Sequence, residues 1–119
     1  MGDISRHFSR KEFECKCGCK EVFVDAILLR LLEAVRDQYG MPIIITSGYR
    51  CEKHNTAEGG KPGSAHLKGK AVDILTNNSR DRYLLIKILI NKFSRIGTGH
   101  NFIHVDVDET KPQHVCWVY

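Results

Sequence analysis

The amino-acid sequence predicts a single α+β domain, in which helices pack on a small, mainly antiparallel sheet. Two long segments repeat apolar residues at helical spacing, and several shorter segments are rich in β-branched residues. No linker or internal repeat interrupts residues 1–119, which is an ordinary length for one domain. We therefore expect one hydrophobic core.

The N-terminal part is predicted to contain two helices and a strand. Ser9 and Glu12 have the spacing of a capping box, which predicts a short helix over RKEF. Asp25 can cap a longer helix that ends before Gly40. The apolar residues at helical spacing in this segment are Ile27, Leu28, Leu31, Leu32 and Val35. PIIITS, from Pro42, is typical of a short buried strand.

The next stretch, GYRCEKHNTAEGGKPGSAH, is predicted to be one long loop because it is rich in Gly, Lys and polar residues. Loops of this length in compact domains usually carry function. The run KAVDIL, which follows shortly after, is predicted to be a second strand.

The C-terminal part is predicted to add a helix and the remaining strands. NNSRDRYLLIKILINKF has a helical pattern with Asn78 or Ser79 as its cap. RIGTG and FIHVDVD resemble the two strands of a hairpin, and HVCWVY closes the sheet.

The composition is that of an ordinary globular protein, with 42% hydrophobic and 27% charged residues. The 18 Lys and Arg residues exceed the 14 Asp and Glu residues, which gives a net charge of +4. The basic residues are scattered and do not form a stripe with interleaved aromatics, so we expect no nucleic-acid partner. A mildly basic surface suits an anionic polymer.

No apolar run approaches the roughly 18 residues of a membrane span, and MGDISRHFSRK lacks the apolar centre of a signal peptide. We therefore expect a soluble monomer that carries no secretion signal.

The five cysteines are an odd number, so at least one thiol is free unless two chains pair. Cys15, Cys17 and Cys19, in CKCGC, could be disulfide partners, ligands of a soft metal or local packing residues. Structural zinc sites usually have a second close Cys or Cys/His pair, and Cys51 and Cys116 do not form one. Packing or a disulfide is therefore the favoured interpretation of the cluster, and metal binding is the alternative.

Three polar residues could converge to form a metal site. The two-residue period of FIHVDVD places His104 and Asp106 on one face of a strand. If that face meets the end of the long loop, at His66, and the strand with Asp73, two imidazoles and a carboxylate come together. Such a set is typical of catalytic zinc, which keeps a fourth position for water. Spacing alone does not distinguish this site from solvated side chains.

The segment SAHLKGKAVDI, residues 64–74, resembles the Ser-x-His-x-x-Gly-x-Ala-x-Asp signature of the zinc D-Ala-D-Ala carboxypeptidase family. That family includes bacterial cell-wall endopeptidases, phage endolysins and the zinc-bearing hedgehog domain. The matching residues are Ser64, His66, Gly69, Ala71 and Asp73. TSGYR resembles the Ser-x-x-Arg element of the family, and FIHVDV resembles its last histidine-bearing strand. FSRKEFECKCG also resembles the start of small phage-type members.

The resemblance implies a hedgehog/D-Ala-D-Ala peptidase-like fold and a zinc peptidase acting on peptidoglycan stem peptides with D-amino acids. It implies that His66, Asp73 and His104 hold Zn²⁺. It also implies that Arg50 stabilises the oxyanion or anchors a substrate carboxylate, since a guanidinium stays charged and donates bidentately. The residues that it implies as substrate contacts are Ser47, Asn55 and Ser64, and for Asn55 and Ser64 the alternative is that they support the residues that hold the metal.

The general base is where the sequence departs from the family. Many relatives have a His two residues before the last zinc histidine or a Glu three residues before it, whereas this chain has Phe102 and Asn101. Asp106 is the candidate here, either as a catalytic base for the zinc-bound water or as a residue that orients a ligand imidazole. His100 and His114 could also approach from loops.

The missing base leaves an alternative function open, namely a catalytically inactive zinc-bearing module that binds cell-wall peptides. The sequence does not distinguish carboxypeptidase from endopeptidase cleavage. Without a signal peptide, the protein is expected to stay in the cytoplasm until it is released, or to be phage-associated, and to act at the cell wall.

Overall fold

The computed structural model describes residues 2–119 and arranges them as helices packed on one five-stranded sheet. In chain order the elements are α1 (Arg10–Phe13), α2 (Ala26–Tyr39), β1 (Ile45–Ser47), α3 (Glu52–Ala57), a 3-10 helix (Ala65–Lys68), β2 (Ala71–Leu75), α4 (Ser79–Leu89), β3 (Arg95–Thr98), β4 (Phe102–Asp106) and β5 (Val115–Val118). No helix of residues 2–119 is both long enough and apolar enough to cross a membrane.

The sheet has the order β1-β2-β4-β3-β5. Three of its four strand pairs are antiparallel, and β5 pairs with β3 in parallel. The predicted α+β class with a mainly antiparallel sheet is therefore confirmed.

The two faces of β2 and β4 have different roles. Alternate residues of the two strands are almost completely buried against α2 and α4 and are Val72, Ile74, Ile103 and Val105. Burying each of these side chains contributes about 1.5–3 kcal/mol relative to leaving it exposed. The intervening pair, Asp73 and His104, lies directly opposite across the ladder and faces away from this core. A slip of one residue would turn these two polar side chains into the core, so the apolar face fixes their position.

The capping residues explain where the predicted helices begin and end. The Asp25 carboxylate accepts hydrogen bonds from the N–H groups of Ile27 and Leu28, and Gly40 ends α2 in the left-handed region at φ 76°. Asn78 caps α4 by accepting from the N–H of Asp81. These helices and RKEF are confirmed, although α4 ends at Leu89, before the end of the predicted segment.

The prediction of one long loop after β1 is wrong, because the segment contains α3 and the 3-10 helix. Helix α3 begins after Cys51, whose Sγ accepts from the N–H of His54 at 3.4 Å. The 3-10 helix begins after Ser64, whose Oγ accepts from the N–H of His66 at 3.2 Å. Sulfur is not among the usual caps, so the start of α3 has no clear sequence signal.

Candidate metal centre

His66, Asp73 and His104 come together, each from a different element. His66 is in the 3-10 helix, Asp73 is the middle residue of β2 and His104 is the middle residue of β4. Asp73 Oδ1 lies 3.3 Å from His66 Nε2 and 3.1 Å from His104 Nδ1. One possible ligand atom from each residue lies within 4.8 Å of the other two, so a single ion could contact all three.

Each imidazole is oriented by a hydrogen bond on its far side. His66 Nδ1 lies 2.7 Å from the carbonyl oxygen of Gly48, which can only accept, so the ring proton is on Nδ1. His66 Nε2 therefore keeps its lone pair, and it is buried without a hydrogen-bond partner among residues 2–119. His104 Nε2 lies 2.7 Å from the Asp106 carboxylate and presents Nδ1 to Asp73. Imidazoles that ligate metals are usually held in this way, so the residues present fit a metal ion.

The charges of the centre also fit a cation. Burial opposes ionisation of Asp73, but the hydrogen bond from His104 and the proximity of the His66 ring outweigh it and hold the pKa of Asp73 well below its usual range. Burial also opposes protonation of His104, but the Asp106 and Asp73 carboxylates outweigh it and raise the pKa of His104. Without metal, the protonated ring of His104 therefore donates one N–H to Asp73 and the other to Asp106. A cation bound here takes the place of the proton on Nδ1.

Arg50 lies beside the metal residues and is held by each of its three nitrogens. Its Nε donates to Ser47 Oγ at 3.1 Å, Nη1 to Asn55 Oδ1 at 3.4 Å and Nη2 to Asp73 Oδ2 at 3.5 Å. Asn55 is buried and donates in turn to the carbonyl of Lys61 at 2.8 Å. Ser47 and Asn55 thus contact the guanidinium, and their contact with substrate stays a prediction.

Asp106 is buried, and both of its carboxylate oxygens are engaged. Oδ2 contacts His104, while Oδ1 accepts from Arg95 Nε at 2.8 Å and from the N–H of Asp108 at 3.1 Å. Burial opposes its ionisation, but these partners hold the pKa of Asp106 below its usual value. The carboxylate is therefore an ionised acceptor that fixes the His104 ring.

The metal residues and Arg50 open onto a cleft of about 840 Å³. Ser64 also lines this cleft, whereas His100 and His114 are exposed outside it. The lining residues that the sequence analysis did not identify include Glu58, Lys61, Arg95, Lys111, Trp117 and Tyr119. The Trp117 ring centre is 5.4 Å from that of His104. The two-residue alternation of Trp117 and Tyr119 along the last strand is the signal that could have identified this aromatic wall.

A family model described as peptidase M15 matches residues 6–106. The match spans most of the chain and contains the three metal residues, Arg50 and Asp106. It agrees with the resemblance noted from the sequence motifs. The comparison with curated proteins gives no match. The geometry of the centre and the extent of this match lead to one conclusion: the chain belongs to the peptidase M15 family.

Proposed function

We propose that the protein is a zinc metallopeptidase that hydrolyses peptide bonds of peptidoglycan stem peptides. The observation that carries the proposal is the convergence of His66, Asp73 and His104, with Arg50 alongside, in one cleft. Membership of a peptidase family supports peptide hydrolysis. Two imidazoles and one carboxylate support zinc as the ion, because this set leaves a position for water.

Different residues would bind the ion, orient its ligands and supply negative charge. When bound, zinc lowers the pKa of a water to roughly 7 and polarises the scissile carbonyl. His66 and His104 present their inner nitrogens, while Gly48 and Asp106 hold the outer ones and keep the rings from turning. Asp73 supplies the negative charge that favours a cation at this position.

Arg50 is proposed to bind the negative charge of the substrate, either a terminal carboxylate or the oxyanion that forms during attack. A guanidinium is planar and carries a positive charge that is spread over its donor nitrogens. Ser47 and Asn55 hold two of its nitrogens, so the side chain is oriented before substrate arrives. Preorganised donors of this kind stabilise a developing charge more than flexible ones do.

The remaining cleft residues suit a peptide that bears a carboxylate. Lys61 and Lys111 add positive charge to the cleft, and Trp117 and Tyr119 provide an apolar wall. Stem peptides combine free carboxylates with short apolar side chains. This chemistry supports the cell wall as the site of action.

Asp106 is proposed to act as a positioning residue through His104, because both of its oxygens are occupied by donors. The same observation favours a second candidate function. A centre in which neither Asp73 nor Asp106 is free to take a proton would bind wall peptides without cutting them.

One experiment distinguishes the two functions. Purified peptidoglycan is incubated with the zinc-loaded protein and with His66→Ala, and the soluble products are identified by mass spectrometry. If the protein is a peptidase, we expect new peptide termini with the wild type and none with His66→Ala. The masses of the products identify the bond that is cut. Co-sedimentation with peptidoglycan without any new terminus would replace the enzyme by the binding module.

A further inference from the structure

Four cysteines meet outside the cleft. Cys15, Cys17 and Cys19 follow α1, and Cys51 is the residue before α3. The Sγ atom of Cys15 lies 3.5 Å from that of Cys17 and 3.6 Å from that of Cys51. The Sγ atoms of Cys17 and Cys51 are 3.6 Å apart, and all four sulfurs lie within 4.8 Å of one another.

These separations match the ligands of one tetrahedral ion. With zinc–sulfur bonds of about 2.3 Å, the sulfurs of a tetrahedral site are about 3.8 Å apart. The three measured distances fall close to that value. Each sulfur has three others around it, which is the arrangement of a four-thiolate site.

The backbone around the cluster donates hydrogen bonds to sulfur. The N–H of Cys51 donates to Cys15 Sγ and the N–H of His54 donates to Cys51 Sγ, both at 3.4 Å. Several thiolates this close repel one another unless a cation lies between them.

We propose that Cys15, Cys17, Cys19 and Cys51 bind one zinc ion in a closed, structural site. Four protein ligands leave no open position, so this ion supports the fold and carries out no reaction. Thiolates select soft or borderline ions such as zinc over magnesium or calcium. The proposal is independent of the proposed peptidase activity.

The position of Cys51 indicates what the ion would support. Cys51 is adjacent to Arg50 and caps α3, which also contains Asn55. The cluster therefore joins the segment after α1 to the residues that hold the Arg50 guanidinium. The backbone bond from Tyr49 N–H to the Phe13 carbonyl, at 2.9 Å, is a second link between the same segments.

The test uses Co²⁺ as a probe in the full-length protein, kept reduced. Cobalt bound to thiolates gives an intense near-ultraviolet charge-transfer band that cobalt bound to nitrogen and oxygen lacks. We expect the band in the wild type and in His66→Ala, with one equivalent of cobalt bound by cysteine. The Cys17→Ser/Cys19→Ser variant changes two exposed residues and should lose the band, whereas the matched control Cys116→Ser should keep it.

Zinc content of the proteins as purified provides the second measurement. We expect two zinc ions per wild-type chain, one in His66→Ala and one in Cys17→Ser/Cys19→Ser. Absence of the thiolate band in the wild type would overturn the proposal, as would its persistence in the double serine variant. A mass lower by two hydrogens per bridge, with no zinc lost in that variant, would show a disulfide instead. Because the band is followed in His66→Ala, the result does not depend on whether any peptide is cut.

Discussion

The His–Asp–His centre has three candidate ligands and the four-cysteine cluster has four, but the two groups are held by different parts of the fold. The centre takes Asp73 and His104 from paired strands whose opposite face is the hydrophobic core. The cluster takes its sulfurs from segments between elements, and Cys17 and Cys19 are exposed. From this difference we expect the sheet to hold the centre in place with or without an ion, and the loops around the cluster to depend on the proposed zinc.

The two regions also differ in how their candidate ligands are hydrogen-bonded. In the centre, Gly48 and Asp106 fix both imidazoles from outside. In the cluster, the sulfurs contact one another, and two of them accept a hydrogen bond from a backbone N–H. A site fixed from outside can leave one coordination position free for chemistry, and a closed one stabilises the segments that it joins.

The largest effect is expected from a substitution that disrupts the His–Asp–His centre and leaves the four-cysteine cluster unchanged. Asp73→Asn removes the charge that attracts the cation but keeps the shape of the side chain. We expect hydrolysis at the background rate and zinc content lower by one ion per chain. Circular dichroism should still show a folded protein, because the core face of β2 is unchanged. Wild-type turnover in this variant would remove Asp73 from the metal centre.

Arg50→Lys is expected to have the next largest effect. Lysine keeps the charge but cannot contact Ser47, Asn55 and Asp73 at once, so the oriented donors are lost. The loss of an oriented donor to a developing charge typically lowers kcat by about 10²- to 10³-fold. Kinetics on a synthetic stem peptide measure the loss, with zinc content unchanged.

Arg80→Lys is the matched control, because Arg80 is an exposed residue of α4. Equal rates for Arg50→Lys, Arg80→Lys and the wild type would show that Arg50 does not act on the substrate.

Asp106→Asn distinguishes the two roles considered for this residue. If Asp106 acts by holding His104, the variant should bind zinc about 10- to 100-fold more weakly, and excess zinc should restore activity. If Asp106 is instead the base, zinc binding should be retained while turnover falls by roughly 10²- to 10⁴-fold. The contacts of both carboxylate oxygens favour the first outcome. Asp37→Asn, an exposed change, serves as the control.

The smallest expected effect is a dependence of zinc binding at the His–Asp–His centre on pH. Zinc requires the deprotonated His104 Nδ1, and the pKa of His104 is raised by Asp106 and Asp73 against the effect of burial. The protonated form therefore dominates below a pH that is higher than the usual histidine value of about 6.5. Because protons compete with zinc for Nδ1, we expect the apparent zinc affinity to begin to fall above that value as the pH is lowered, as measured by zinc titration of the metal-free protein. An affinity that begins to fall only below the usual histidine value would contradict the raised pKa.

The sequence predicted the parts of the fold that local patterns specify. Asp25 and Gly40 mark both ends of α2, and alternation in FIHVDVD placed His104 and Asp106 on one face. The three metal residues were identified through the resemblance, because spacing alone did not decide. How Gly48 and Asp106 orient the two histidine rings is visible only in the structure.

The parts that were missed depend on contacts distant in sequence. Cys51 lies far along the chain from Cys15, and the bond between Tyr49 and Phe13 brings their segments together. Because Cys51 has no second cysteine close to it in sequence, the spacing of the cysteines does not indicate the four-cysteine cluster. The contact of Asn55 with Arg50 depends on α3, which was predicted as loop.

The most direct test of the central claim follows hydrolysis of a stem peptide against added zinc. The wild type and His66→Ala are stripped of metal with a chelator, and zinc is returned stepwise with the protein kept reduced. We expect no cleavage by metal-free wild type, recovery on zinc addition once the centre is filled, and no recovery for His66→Ala. Cleavage by metal-free protein, or equal recovery in His66→Ala, would contradict a catalytic ion held by His66, Asp73 and His104.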